Sequence, residues 1–182
     1  LKDKMPNNRL IEHLGHCALT YGCFTAQNIF YHRWEGGIPI SPVCNANCLG
    51  CISLQPSECC PSPQERIKFK PTVEEVAELM NYHLAQRYIF IRVAITSDPF
   101  EGEPSLQAET AAEAIRRVRA ENKRGTINMN TNAGYTTGIK MLSEAGIDSI
   151  RVSLNSATEE VYRGYYRAGG YKLSDVKNSL KI

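Results

Sequence analysis

The chain has 182 residues, enough for roughly one domain with a core of its own, so size demands no disulfide or metal staple. Lys and Arg total 21 against 19 Asp and Glu, a formal net charge of +2, and 42% of the residues are hydrophobic; this argues against a dedicated polyanion binder and against disorder. Seven cysteines are about 4% of the chain, below the roughly 8–10% of a disulfide scaffold, and an odd number cannot pair completely within the chain.

Leu10, Ile11, Leu14, Cys17, Ala18 and Tyr21 recur at helical spacing and predict a helix over 8–24 that ends near Gly22. Two prolines flank Ile40, which allows a first or edge strand near 38–43 leading into a cysteine-bearing loop that extends to about Lys70. Pro71 precedes Thr72-x-x-Glu75, a capping-box pattern, and Val73, Val76, Ala77, Leu79, Met80 and Leu84 extend it into a helix over 72–86. Residues 88–96 read as a β-branched and aromatic strand, 108–121 as a helix, 126–131 as a strand, and 138–145 as a helix closed by Gly146. A strand over 148–155 follows, Ser156-x-x-Glu159 caps another helix, and Val176 and Leu180 mark an amphipathic helix at the end of the sequence. Strands alternating with helices predict an α/β fold of right-handed βαβ units, its parallel sheet either open or curled into a barrel. Ligands in such folds sit beyond the carboxyl ends of the strands.

The longest apolar run, 88–95, is too short for a membrane span and carries Arg92 in its middle. No signal peptide opens the sequence at Leu1, so a reducing cytoplasm and no membrane are the expectation.

Cys44, Cys48 and Cys51 form C-x3-C-x2-C just after the first expected strand, a spacing that lets one loop aim three thiolates at one centre. A four-iron cluster held by three cysteines leaves one iron open, whereas a closed zinc site needs a fourth ligand, here Cys59, Cys60 or a histidine. Both readings stand on spacing alone. His13, His16, His32 and His83 read as helix or loop surface residues, and Cys17, Cys23, Cys59 and Cys60 as reduced thiols without a ligand pattern. Trp34 reads as core or as a lid over a barrel mouth. Tyr162, Tyr165 and Tyr166 read as an aromatic packing stripe, with Arg163 and Arg167 solvated.

The cysteine triplet followed by β/α units resembles the radical S-adenosylmethionine (radical SAM) superfamily. Three further motifs fall where that family carries them: Glu101-Gly102-Glu103-Pro104 after the second strand, Asn130-Thr131-Asn132 after the third, and Arg151-Val-Ser153-Leu-Asn155-Ser156 along the fourth. The segment from Asn8 through Trp34 to Pro56 is similar to a bacterial subgroup of the superfamily. The resemblance implies a partial parallel (β/α) barrel preceded by an N-terminal helix, with 1–35 a helical extension and 36–182 the core. It also implies a core of six strands, so the four expected here leave the sequence two βα units short at its carboxyl end.

By resemblance, Cys44, Cys48 and Cys51 hold a [4Fe-4S] cluster whose fourth iron takes the amino and carboxylate groups of S-adenosyl-L-methionine. An electron donor such as flavodoxin or ferredoxin reduces the cluster, SAM is cleaved, and a 5′-deoxyadenosyl radical abstracts hydrogen from a substrate the resemblance does not specify. Gly102 would let the backbone approach the SAM amino group and Glu103 would accept its hydrogen bond. Thr131 and Ser153 would donate to its carboxylate or ribose, and Asn155 would serve the ribose hydroxyls. Two positions depart from the family pattern. Glu101 stands where its first glycine sits, and Gly50 where an aromatic packs on the adenine, which leaves Leu49, Ile52 or another apolar group for that task.

Overall fold

The computed structural model describes residues 1–55, 66–86, 92–95 and 101–182. Asn8 caps helix α1 (Arg9–Thr20) by accepting from the Leu10 N–H, and the stripe Leu10, Ile11, Leu14 and Cys17 is buried. His13 Nε2 lies 3.5 Å from the Cys17 sulfur one turn on. At Gly22, φ +63°, the chain leaves the helix, and α2 (Phe24–Phe30) follows. The helix expected over 8–24, ending near Gly22, is α1; α2 goes unmarked in the sequence because it buries only Ala26 and Ile29, too few positions to register as a period.

The strand expected near 38–43 is instead β1 (Glu35–Ile38). Its glycines admit a close neighbour: a Cβ on Gly36 would stand 2.9 Å from the His83 ring. That ring belongs to α3 (Val73–Leu84), whose capping box forms as expected, with Thr72 Oγ accepting from Glu75 N at 3.2 Å and Glu75 returning a bond to Thr72 N at 2.8 Å. Glu75 also receives Arg9 through Nε at 2.8 Å and Nη2 at 2.7 Å, which docks α1 on α3 and holds its carboxyl down at about 2. His83 is fully buried, not a surface residue, and burial pulls its imidazole down to about 4.

Downstream run β2 (Arg92–Ile95), a 3₁₀ turn at Pro104–Gln107, α4 (Ala108–Glu121), β3 (Thr126–Thr131), α5 (Thr136–Glu144), β4 (Ser149–Val152), α6 (Glu159–Tyr166) and α7 (Leu173–Ser179). Of the strand expected over 88–96, residues 88–91 and 96 lie outside the described residues, as do Cys59 and Cys60. The capping box expected at Ser156-x-x-Glu159 does not form. Ser156 Oγ instead accepts from Thr158 N at 3.1 Å in a tight turn, and α6 starts only at Glu159.

All strand pairs are parallel and the order is β1-β2-β3-β4. One register row runs Ile38, Ile95, Met129, Ile150 across the sheet. Sequential order, without the reversal of a doubly wound sheet, is the winding of a barrel wall, so the fold is the α/β partial (β/α) barrel expected. Leu10, Leu14 and Ile29 of the first two helices share one core with Ile38, Met80, Val93 and Ile127. Trp34 is neither core nor lid: it is 54% exposed and precedes β1, at the end of the sheet away from the strands' carboxyl termini. No helix among the described residues is long and apolar enough to cross a membrane.

Candidate active site

Past the end of β1 the chain stays extended and lies against residues 101–103. Gly102 N donates to Ser41 O at 2.6 Å and Glu103 N to Val43 O at 2.8 Å, and the Glu101 carboxylate accepts from the Ile40 and Ser41 amides. Glu101, where a glycine is usual, thus fastens the start of the cysteine loop to the strand beside it. A Cβ on Gly102 would overlap the Val43 carbonyl. The close backbone approach that this glycine permits is therefore to residues 43–44 of the chain itself.

Glu103 is 3% exposed. Its carboxylate accepts from Ser105 N at 3.0 Å, from Asn132 N at 2.7 Å and from the Thr131 hydroxyl. Burial pushes its carboxyl upward against those donors. The Thr131 proton is committed to Glu103, and its oxygen accepts from Ala133 N at 2.9 Å, so the free donor expected there is spent on building the site.

Asn132 reaches across the strand ends to the cysteine loop, its Nδ2 2.7 Å from Asn45 Oδ1. The other side of that loop is gripped by the end of α6. Asn47 N donates to Tyr166 O and Leu49 N to Tyr165 O, both at 3.0 Å, and Gly169 N donates to Asn45 O at 2.7 Å. Tyr166 also holds the tip beyond β4: its hydroxyl lies 3.2 Å from Asn155 Oδ1 and accepts from Asn155 N at 3.0 Å. Tyr165 fills the place left by Gly50, its hydroxyl 2.6 Å from where a Cβ would stand.

These segments enclose a cavity of about 240 Å³ at the carboxyl ends of the strands. Cys44, Cys48 and Cys51 line it, and so do all five residues expected to bind the nucleotide: Gly102, Glu103, Thr131, Ser153 and Asn155. Sequence reasoning missed Arg66, Asn132, Tyr165 and Tyr166 on the same wall. Of the apolar residues considered as replacements for an aromatic at position 50, Ile52 lines the cavity. Arg151, which alternation puts on the same side as Ser153 and Asn155, is exposed and not part of the lining.

The three thiols are free, and burial pushes those of Cys44 and Cys48 upward, Cys48 to about 11 with its two cysteine neighbours adding to the effect. Two thiols so raised ionise together only against positive charge, which suits a thiophilic metal centre. Among the described residues no three His, Cys, Asp or Glu side chains converge as on a single bound ion. Cys44, Cys48 and Cys51 border one common space.

The sequence profile of the radical SAM superfamily matches residues 38–182. The chain belongs to the radical SAM superfamily. Radical SAM proteins use a [4Fe-4S] cluster and SAM. Two curated relatives are GTP 3′,8-cyclases: that of Lactiplantibacillus plantarum is 25% identical over 138 residues and that of Limosilactobacillus fermentum 28% identical over 138 residues. In both cases the match covers 72% of this chain and 36% of the relative, so the chain spans only about a third of their length. Native anSMEcpe with bound AdoMet superposes with a TM-score of 0.53 at 20% identity, over 80% of this chain and 40% of that one. The FeFe-hydrogenase maturase HydG from Carboxydothermus hydrogenoformans gives 0.51 at 18% identity, over 99% and 46%. Both share the fold of a radical SAM barrel wall.

Proposed function

We propose that the chain carries the radical-generating site of a radical SAM enzyme, with Cys44, Cys48 and Cys51 as cluster ligands and SAM bound along Gly102, Glu103, Thr131, Ser153 and Asn155. The observation that carries this reading is that these eight residues, from four separate strand ends, line one cavity. When bound, the cluster and SAM together supply a 5′-deoxyadenosyl radical able to take hydrogen from a substrate.

The chain's own part is positioning. Glu103, buried and with no cationic partner among the described residues, offers its carboxylate to the SAM ammonium, whose charge offsets the cost of burial. Gly102 holds that carboxylate at the correct depth by seating the backbone on Val43. Thr131 fixes the rotamer of Glu103, and the paired donor and acceptor of Asn155, held by Tyr166, suit ribose hydroxyls. Residues 1–35 read as a helical extension of the core in 36–182. A low-potential electron donor completes the reaction, and the free thiols suit a reducing cytoplasm.

Anaerobic reconstitution with metal analysis tests the reading. About four irons per chain are expected, as is 5′-deoxyadenosine on adding reductant and SAM. One tightly held zinc would make the thiols a structural site, and a cluster without product would show a barrel that has lost catalysis.

A further inference from the structure

Among the described residues lining the thiol cavity, Arg66 supplies the cation. It comes from the segment after the cysteine loop, and that segment is anchored on both sides of Lys68: Ile67 is buried in the core, and Phe69 lies under the Arg9 guanidinium at 4.4 Å. Arg66 Nη2 stands 3.8 Å from the Cys51 sulfur, within N–H···S reach. Its Nε is shielded from water without a hydrogen-bond partner. A guanidinium never gives up its charge at ordinary pH, so this is a fixed positive charge at one corner of the thiol set.

The potential of an iron–sulfur cluster is set by its net charge, by hydrogen bonds to its sulfurs and by its exposure to solvent. Taking up one electron lowers the cluster's charge by one, and a guanidinium beside a ligand sulfur stabilises the reduced form more than the oxidised one. We propose that Arg66 raises the reduction potential of the cluster held by Cys44, Cys48 and Cys51, through its charge and an N–H···S contact at Cys51. In the step it assists, one electron passes from a one-electron donor such as dithionite to the cluster. The donor is oxidised by one electron, and no proton moves and no bond is made or broken. The inference rests on the cluster assignment above.

The test is a mediated dithionite titration, followed by electron paramagnetic resonance and without SAM, of the reconstituted protein and its R66Q, R66M and R66K variants, with iron per chain measured for each. R66Q and R66M are expected to titrate at clearly more negative potential with wild-type iron content, and R66K close to wild type. Neutral variants at the wild-type potential would overturn the inference and leave the cluster assignment standing. Neutral variants that take up no iron while R66K behaves as wild type would also overturn it, because Arg66 would then serve assembly. A wild-type chain that takes up no cluster overturns the proposed function itself, and this inference with it.

Discussion

Asn132 Nδ2 lies 2.7 Å from Asn45 Oδ1, so the loop after β3 holds the loop that carries all three clustered cysteines. If that bond sets the cysteine loop, Asn45→Ala and Asn132→Ala each cost about 1 kcal/mol, and the double variant costs less than their sum. Asn132→Ala should cost more than Asn45→Ala, since its Oδ1 also accepts from Gly134 N at 2.9 Å. Chemical denaturation of all four proteins measures the coupling, and iron retained after a chelator challenge should fall in the same order.

Gly102→Ala places a methyl group in the Val43 carbonyl, a backbone atom that cannot turn aside. We expect a loss of about 3 kcal/mol or more and failure to reconstitute a cluster. Gly164→Ala is the matched control. It lies inside α6 with nothing within 4 Å of the added Cβ, and it should stabilise by about 0.5–1 kcal/mol. Thermal unfolding of both distinguishes a requirement for this glycine from a general intolerance of substitution.

Thr131→Val keeps the shape but removes both a donor to the buried Glu103 and the acceptor for Ala133 N. Stability should fall by about 2–3 kcal/mol and SAM affinity should weaken, while Thr131→Ser restores both. A valine variant that binds SAM as tightly as wild type, by calorimetry on reconstituted protein, would detach Thr131 from the site.

His83 should make the fold acid-sensitive before any carboxylate does. Its folded value of about 4 lies below the ordinary 6.5, so between those limits the unfolded chain binds a proton that the folded chain refuses. Stability is therefore complete above about pH 6.5 and declines as pH falls toward 4, by about 3 kcal/mol in all. His83→Gln should flatten that slope in denaturation curves taken across the range.

Glu75 contributes in a lower window. Its carboxyl is held at about 2 by Arg9, so its stabilisation is present above pH 4.5 and is lost as pH falls toward 2. Glu75→Ala should cost about 2–3 kcal/mol, since it also removes the Thr72 cap bond and the acceptor for Arg9 N. Amide exchange should show α1 loosening first.

Local signals in the sequence reached those parts of the molecule that local chemistry determines. The helices over 72–86 and 108–121 and the strand 126–131 were legible because a capping box, an apolar period or a β-branched run marks each one. So was the convergence of the eight expected residues on one cavity, because their motifs follow strand ends. What escaped was contact at a distance. Nothing near His83 signals that β1 brings Gly36 against it, and nothing near Gly102 says that its neighbour is Val43. Tyr165 and Tyr166 do pack as an aromatic stripe, but their carbonyls also grip the cysteine loop and the Tyr166 hydroxyl holds Asn155, contacts that no side-chain period records.

The amides of Asn47 and Leu49 are spent on the carbonyls that end α6, so the last turn of that helix and the cysteine loop are one cooperative unit. Fraying of either one strips two hydrogen bonds from the other. Loss of that turn would release the loop amides between the thiols, so a segment encoded far along the chain helps to keep the three sulfurs in place.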